Sequence, residues 1–247
     1  MKIFKEIFAR CWALWGLVTF VSTFLIFIAP ALFSYLIKNE QKSQQLFISV
    51  SRIWMRIWLT LIGCPLRIKG RQYFSPNKNY VVVFNHNSLL DVPLSAPFVP
   101  GLNKTIAKTS FSKIPLFGLF YKKGSVLVDR TNEKSRRQSF EEMKKVLAKG
   151  MHMCIYPEGT RNRSNLLIKP FFDGAFKLAV ETKKDIIPCL IIGTSTAMPI
   201  RKKFYLFPTP LELVFLPPVS CNEMSSKELN KKVYDIIFDE YSKRLNY

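Results

Sequence analysis

The chain has 247 residues, room for one large domain and an appendage. Lysine and arginine outnumber aspartate and glutamate by 37 to 17, and the resulting +20 calls for an anionic partner, either nucleic acid or an anionic bilayer surface. A mean hydropathy of +0.08 with 21 phenylalanines argues against nucleic acid, and five scattered cysteines without a Cys-x-x-Cys spacing argue against a disulfide framework or a zinc site and fit a reducing cytoplasm.

Between Arg10 and Lys38 lie 27 residues without a charge, Cys11 to Ile37, preceded by Lys2, Lys5 and Arg10. About 20 apolar residues suffice to cross a bilayer, so this segment is expected to embed in one. Pro30 would kink or break a helix near its end. The run therefore predicts one kinked span or two short helices entering a single leaflet. The second fits better with a catalytic domain on the cytoplasmic face, where three leading cations also put the N-terminus. The length of the run and the lack of an Ala-x-Ala-like site speak against a secretory leader.

From Leu46 to Leu61 the apolar residues Leu46, Val50, Ile53, Trp54, Ile57, Trp58 and Leu61 recur at three and four. That period predicts an amphipathic helix, its two tryptophans suited to a bilayer interface and its end marked by Gly63 and Pro65. Residues 1–64 are thus expected to form membrane-anchoring and amphipathic helices, and residues 65–247 a catalytic domain.

After Pro65 short apolar runs alternate with helical patterns, the mark of an α/β fold. Strands are predicted at Leu66–Lys69, Tyr80–Phe84, Ser125–Val128, Met151–Tyr156, Ile186–Ile192 and Leu211–Phe215. Helices are predicted from about Asn132 to Lys149, beyond Pro170 through Phe176 and Val180, and from Ser225, which stands in capping-box relation to Glu228. The last would bury Leu229, Val233, Ile236 and Ile237.

The stretch that organises the chain is Tyr80 to Asp91. An apolar, β-branched run stops at His86, which places that histidine at the carboxyl end of a buried strand, where open α/β sheets hold their ligands. Five helical residues turn through about 500°, so His86 and Asp91 meet only if His86 sits in the loop and Asp91 on the next helix's first turn. Ser88 and Asp91 have the spacing to start such a helix. Asp91 would then take the Nδ1 proton and leave Nε2 as a general base. Three more segments follow strands in the same way: Gly124 to Arg130, Tyr156 to Arg161, and Ile187-Pro188, where proline implies a strand start, a bulge or an edge.

This set resembles the glycerolipid acyltransferase family, in particular the bacterial 1-acyl-glycerol-3-phosphate acyltransferases. Four blocks match in order: Asn85 to Asp91 (Asn-His-x4-Asp), Gly124 to Arg130 (Gly-x4-Asp-Arg), Pro157 to Arg161 (Pro-Glu-Gly-Thr-Arg) and Ile187-Pro188. Ala107 to Gly118 also resembles the family's segment ahead of the second block, with Ser110 where the family often has an acid. The resemblance covers residues 65 to 220 and implies a mixed, mostly parallel sheet flanked by helices. It implies transfer of a fatty acyl group from acyl-CoA or acyl carrier protein to lysophosphatidic acid at a phospholipid membrane, with no cofactor and no metal. It assigns Glu158, Gly159 and Thr160 to the acceptor site.

The residue chemistry points the same way. The acceptor's hydroxyl must lose a proton as it attacks, and an imidazole oriented by a carboxylate takes it, so that the substrate stands where a triad has its serine. Arg130 and Arg161, with Lys108 as a third cation, are expected to converge on the phosphate. Backbone N–H groups near Asn87 or in Ile187 to Cys189 are the expected oxyanion donors. His152 reads as structural, and two histidines are too few for a catalytic zinc. Gly193 to Ala197 imitates a nucleophile elbow, but Ala197 takes its last position and Pro199 blocks the helix it would feed. Two alternatives stand beside the main expectation: the same chemistry on another lysolipid such as lyso-ornithine lipid, and a non-catalytic basic membrane-binding protein. The latter leaves His86, Asp91 and Glu158 unexplained.

Overall fold

In the computed structural model, which describes residues 2–245, the uncharged N-terminal run as far as Phe33 belongs to one helix, α1 (Lys2–Phe33). Its 32 residues extend about 48 Å at 1.5 Å each, more than the hydrocarbon thickness of a bilayer. The expected pair of short helices is not found. Pro30 falls in the last turn, where little helix remains for it to break. A 3₁₀ turn at Ser34–Leu36 reverses the chain into α2 (Glu40–Leu61), whose N-terminus Asn39 caps by accepting the Lys42 N–H at 3.0 Å.

The two helices run antiparallel and are joined through indoles. Trp12 and Trp15 of α1 donate to the carbonyls of Ile62 and Leu61, satisfying acceptors that a helix C-terminus leaves open. In return Trp54 donates to the Thr23 hydroxyl and Trp58 to the Gly16 carbonyl. The chain has four tryptophans, and all four make this kind of bond. The sequence predicts Trp54 and Trp58 at a bilayer interface; both are buried between the helices instead, and Ile53, Ile57 and Leu61 are the residues left outside.

Beyond Pro65 the apolar runs become a seven-stranded sheet in the order β1-β7-β6-β2-β5-β3-β4. The strands are β1 (Leu66–Lys69), β2 (Val81–Phe84), β3 (Asn103–Lys108), β4 (Ser125–Val128), β5 (His152–Ile155), β6 (Ile186–Ile192) and β7 (Leu211–Phe215). From β6 to β4 all neighbours are parallel; β7 runs against β6 and carries β1 parallel to itself. The helices after α2 are α3 (Asp91–Ser95), α4 (Phe117–Lys123), α5 (Glu133–Ala148), α6 (Gly174–Thr182), α7 (Thr194–Ala197) and α8 (Ser226–Leu245).

Alternation along β2 builds the two layers. Val82 and Phe84 join a core with Trp54, Trp58, Leu94 and Phe98 on one face, while Val81 and Val83 join Met143, Leu147, Phe176, Leu178 and Val233 on the other. Each large apolar side chain buried this way contributes about 1.5–3 kcal/mol. The first core also takes in Phe24 and Ile28 of α1, so apolar packing is continuous across residue 64.

Pro188 is the third residue of β6 and lies in the sheet interior. Its missing N–H falls where the β6–β7 ladder ends: Leu216 N–H still donates to the Pro188 carbonyl at 2.9 Å. Continuing that register would set Ile186 against Pro218, yet Ile186 bridges Val219. The extra residue is a bulge, one of the three settings proline requires.

At the end of β2, Asn85 is buried and bonds β6 with both ends of its amide, donating to the Ile191 carbonyl at 3.0 Å and accepting the Ile191 N–H at 2.7 Å. Asn85→Ala orphans both backbone groups. A loss of about 2–4 kcal/mol is expected from two unsatisfied buried partners, read as a lower thermal midpoint of the detergent-purified protein.

Candidate active site

Because five strands run parallel, the segments after β2, β3, β4 and β5 all emerge at one edge of the sheet, and that edge gathers the residues singled out from sequence. His86 lies in the loop after β2 and Asp91 opens α3. The His86 Nδ1 stands 2.8 Å from Asp91 Oδ2. An ionised carboxylate only accepts, so Nδ1 carries the proton and Nε2, which bonds no described residue, presents its lone pair. The same Oδ2 accepts the N–H groups of Asn87 and Ser88, each at 2.7 Å. Asp91 is fully buried, whereas 16% of the His86 side chain is exposed, so the imidazole can be reached and its partner cannot.

Asn87 was one expected source of oxyanion donors. Its N–H is already committed to Asp91. The other source, Ile187 to Cys189, lies inside β6 between β2 and β7, and Pro188 has no N–H to give. Neither expectation fits this geometry.

Glu158 differs from its expected place in the acceptor site. Its side chain is fully buried, with Oε1 accepting the His86 backbone N–H at 2.6 Å and Oε2 that of Lys169 at 3.2 Å. The His86 carbonyl in turn accepts the Asn162 N–H at 2.7 Å. Glu158 therefore fixes the main chain of His86. Burial pushes its carboxyl up to about 7, against the two N–H bonds, which pull it down. Gly159 has φ +73°, and a Cβ there would come within 2.6 Å of the Phe172 ring, so only glycine turns this corner. Thr160 is exposed, and its hydroxyl accepts from the Lys169 ammonium at 2.9 Å.

The cations form a row. Arg161 follows β5, Lys108 ends β3 and Arg130 follows β4, on three neighbouring strands whose outer two lie about 10 Å apart. Arg161 stands on the His86 side of the row, since β5 adjoins β2 and the N–H of the next residue, Asn162, donates to the His86 carbonyl at 2.7 Å. Burial, then Arg163, lowers its guanidinium against the opposing Asp91 carboxylate. Burial also lowers Arg130, against a smaller effect of Tyr121. Neither arginine's side chain bonds a protein group among the described residues, and the two share no partner.

Several residues here are absent from the sequence expectations. The Tyr156 ring lies against the imidazole, centroids 4.5 Å apart, and its hydroxyl meets that of Ser95 at 2.5 Å. From α8, the Tyr241 hydroxyl accepts the Asn87 amide at 3.1 Å; burial and the carboxylates of Asp91 and Glu158 push that phenol up to about 12. A four-residue series, Leu229, Val233, Ile237, Tyr241, was the available signal for the last. Nothing in the sequence marks Lys169. His152 is buried under Tyr80, accepts its N–H at 3.0 Å, and is pushed down to about 4 by burial, a neutral core histidine. No three His, Cys, Asp or Glu residues stand together as a metal site among the described residues.

A family model described as acyltransferase matches residues 65–192. The chain belongs to the acyltransferase family. Among curated acyltransferases, it is 28% identical over 180 residues to the 1-acyl-sn-glycerol-3-phosphate acyltransferase of Cocos nucifera, a match covering 72% of this chain and 57% of that one. To the enzyme of the same name from Saccharomyces cerevisiae it is 28% identical over 197 residues, 76% of this chain and 64% of the other. The matched region thus spans somewhat more than half of these relatives' length. The crystal structure of the LPA acyltransferase PlsC from Thermotoga maritima has the same fold, with a TM-score of 0.80, 21% identity, and 100% and 99% of the two chains covered. The six strands expected from sequence are corrected to seven, with the mostly parallel mixed sheet as expected.

Glu158 gives a pH test with a definite sign. The folded carboxyl keeps its proton up to about pH 7, whereas the ordinary value is 4.5. Between these the folded chain binds more protons than the unfolded one, so stability falls as pH rises, by about 3 kcal/mol once the folded group has ionised. Thermal midpoints from pH 4.5 to 7 should show this decline, and Glu158→Gln should flatten it. An unchanged slope in the variant would assign the decline to another group.

Proposed function

We propose that this chain transfers a fatty acyl group from an acyl thioester to the free hydroxyl of 1-acyl-glycerol-3-phosphate, giving phosphatidic acid at the cytoplasmic face of a membrane. The observation that carries the reading is the 2.8 Å bond from His86 Nδ1 to a buried carboxylate, which leaves Nε2 free at the sheet edge. The names of the relatives supply the acceptor, and acyl-CoA or acyl carrier protein, both acidic, suits a chain of net charge +20 as donor.

In the proposed reaction Nε2 removes the hydroxyl proton as the oxygen attacks the thioester carbonyl. The tetrahedral intermediate collapses with cleavage of the C–S bond, and the imidazolium returns its proton to the departing thiol. Asp91 holds the ring and stabilises its charged form. Direct attack is supported by the lack of a protein nucleophile: no hydroxyl or thiol of the described residues bonds Nε2. Ser88 is buried and donates to the Met198 carbonyl at 2.8 Å, and burial raises the thiols of Cys154 and Cys189.

Phosphate binding is assigned to Arg161, next to the base, with Lys108 and Arg130 continuing the row toward the incoming head group. Gly159 and Thr160 shape the turn that delivers Arg161, and Glu158 supports it from beneath. The membrane partner is supported by α1, whose Ile3–Leu36 region reaches a mean hydropathy of 2.2 in its most apolar window. Cations ahead of the uncharged run favour a cytoplasmic N-terminus.

Detergent-purified protein given lysophosphatidic acid and a long-chain acyl thioester should form phosphatidic acid. His86→Ala should lower kcat at least 10³-fold, in line with loss of a general base at its upper range, and Asp91→Asn should lower it by a similar order. No product from the parent protein would overturn the activity; equal turnover by His86→Ala would overturn its mechanism. Arg161→Ala is expected to raise KM for lysophosphatidic acid at least tenfold, with KM for the thioester little changed.

A further inference from the structure

The segment between β3 and β4 contains an apolar tip that the proposed chemistry does not use. A 3₁₀ turn at Thr109–Lys113 leads through Ile114 and Pro115 to Leu116 and into α4. Phe111, Ile114, Leu116 and Leu119 are exposed to between 40% and 52%, an unusual density of large side chains for so short a loop. Leu116 itself has φ +59° and ψ −54°, and the Phe117 N–H donates back to the Pro115 carbonyl at 2.6 Å. That is the positive-φ form of the γ-turn, rare and strained for any residue with a Cβ. Glycine would relieve the strain; leucine keeps it and points a large apolar group outward.

The tip has a firm base. Gly118 packs against Ser112, whose carbonyl would lie 2.3 Å from a Cβ. Phe117 and Phe120 face Phe24 of α1 at 5.8 and 6.1 Å, and the Tyr35 hydroxyl donates to the Leu119 carbonyl at 2.9 Å. The tip is thereby continuous with the exposed apolar surface of α1 and the turn after it, including Leu25, Ile26 and Phe33 of the helix and Leu36 of the turn. Charge supplies the other half of the pattern. Residues 108 to 123 contain four lysines and no acid, and Lys108, Lys113 and Lys122 pair with no carboxylate among the described residues.

We propose that residues 111–119 form a second membrane-contacting element, inserting Leu116 and its apolar neighbours into an anionic phospholipid surface beside α1. An apolar tip flanked by Lys108, Lys113 and Lys122, with Asp129 as the carboxylate that senses Lys108 and Lys113, matches a bilayer of acyl chains under anionic head groups. Lys108 precedes the tip and Arg130 follows β4, so its insertion brings the cation row to head-group level. This rests on the reading of the chain as a membrane enzyme and adds to it a defined point of contact.

The test uses the full chain with Leu116→Cys in a Cys11→Ser background, since the other four cysteines are buried. A thiol-reactive fluorophore at 116 is compared with one at Lys227→Cys on α8 after reconstitution into vesicles of phosphatidylcholine with phosphatidylglycerol. Doxyl-labelled acyl chains should quench the fluorophore at 116 several-fold more than the one at 227, and aqueous iodide should do the reverse. Lys113→Glu with Lys122→Glu should weaken the doxyl quenching while leaving turnover in detergent unchanged. Iodide quenching at 116 equal to that at 227, equal doxyl quenching in purely phosphatidylcholine vesicles, or cross-linking of two chains through residue 116 would overturn the proposal. The quenching is read without substrate, so failure of the acyl-transfer reading would not alter that result.

Discussion

Oδ2 of Asp91 accepts three hydrogen bonds, from the ring of His86 and from the main chain of Asn87 and Ser88, and it does so out of reach of water. Charge-assisted bonds of this kind are worth about twice a neutral one, and burial removes the competing solvent. One atom thereby sets the loop's path and the imidazole's orientation together. Glu158 adds a second buried acid from the loop after the neighbouring strand: β5 runs beside β2, so the carboxyl two residues after Tyr156 meets the His86 N–H. His86 is held by one acid at its ring and by another at its backbone. Their roles are separated by what they touch rather than by residue type.

Parallel strand order makes this possible. With β6, β2, β5, β3 and β4 running the same way, loops far apart in sequence open at one edge without long connections. The two layers share the work. Helices α5, α6 and α8 close one face, and Tyr241 of α8 reaches around to Asn87, so a residue beyond the matched family region braces the site. The other face is closed by α2 and α1, which makes the N-terminal helices part of the same core as the sheet.

What could be read in the sequence was whatever is encoded locally. The run Val81 to Phe84 is apolar on both faces, so the strand, its centrality and the place of His86 followed from composition alone. Strand β3 was illegible because its inward positions include Asn103 and Thr105, polar residues whose burial depends on partners elsewhere; Asn103, for example, receives Gln44 through its carbonyl and holds Ala96 with its amide. Trp54 and Trp58 were misplaced for a related reason. An indole suits a bilayer interface and a helix–helix seam equally well, and only the tertiary partner decides. Glu158 was recognised as belonging to a motif, but a motif does not say which way a carboxylate faces.

The indole bonds between α1 and α2 have a mechanical consequence. A helix tied to its neighbour at four points, and sharing that neighbour's packing with the sheet, cannot swivel as a flexible tether would. On the proposed reading, the depth of α1 in the lipid then fixes the height of His86 above it. The distance a lysolipid must rise to meet the base becomes a dimension of the fold, set when the chain folds and not renegotiated at each encounter.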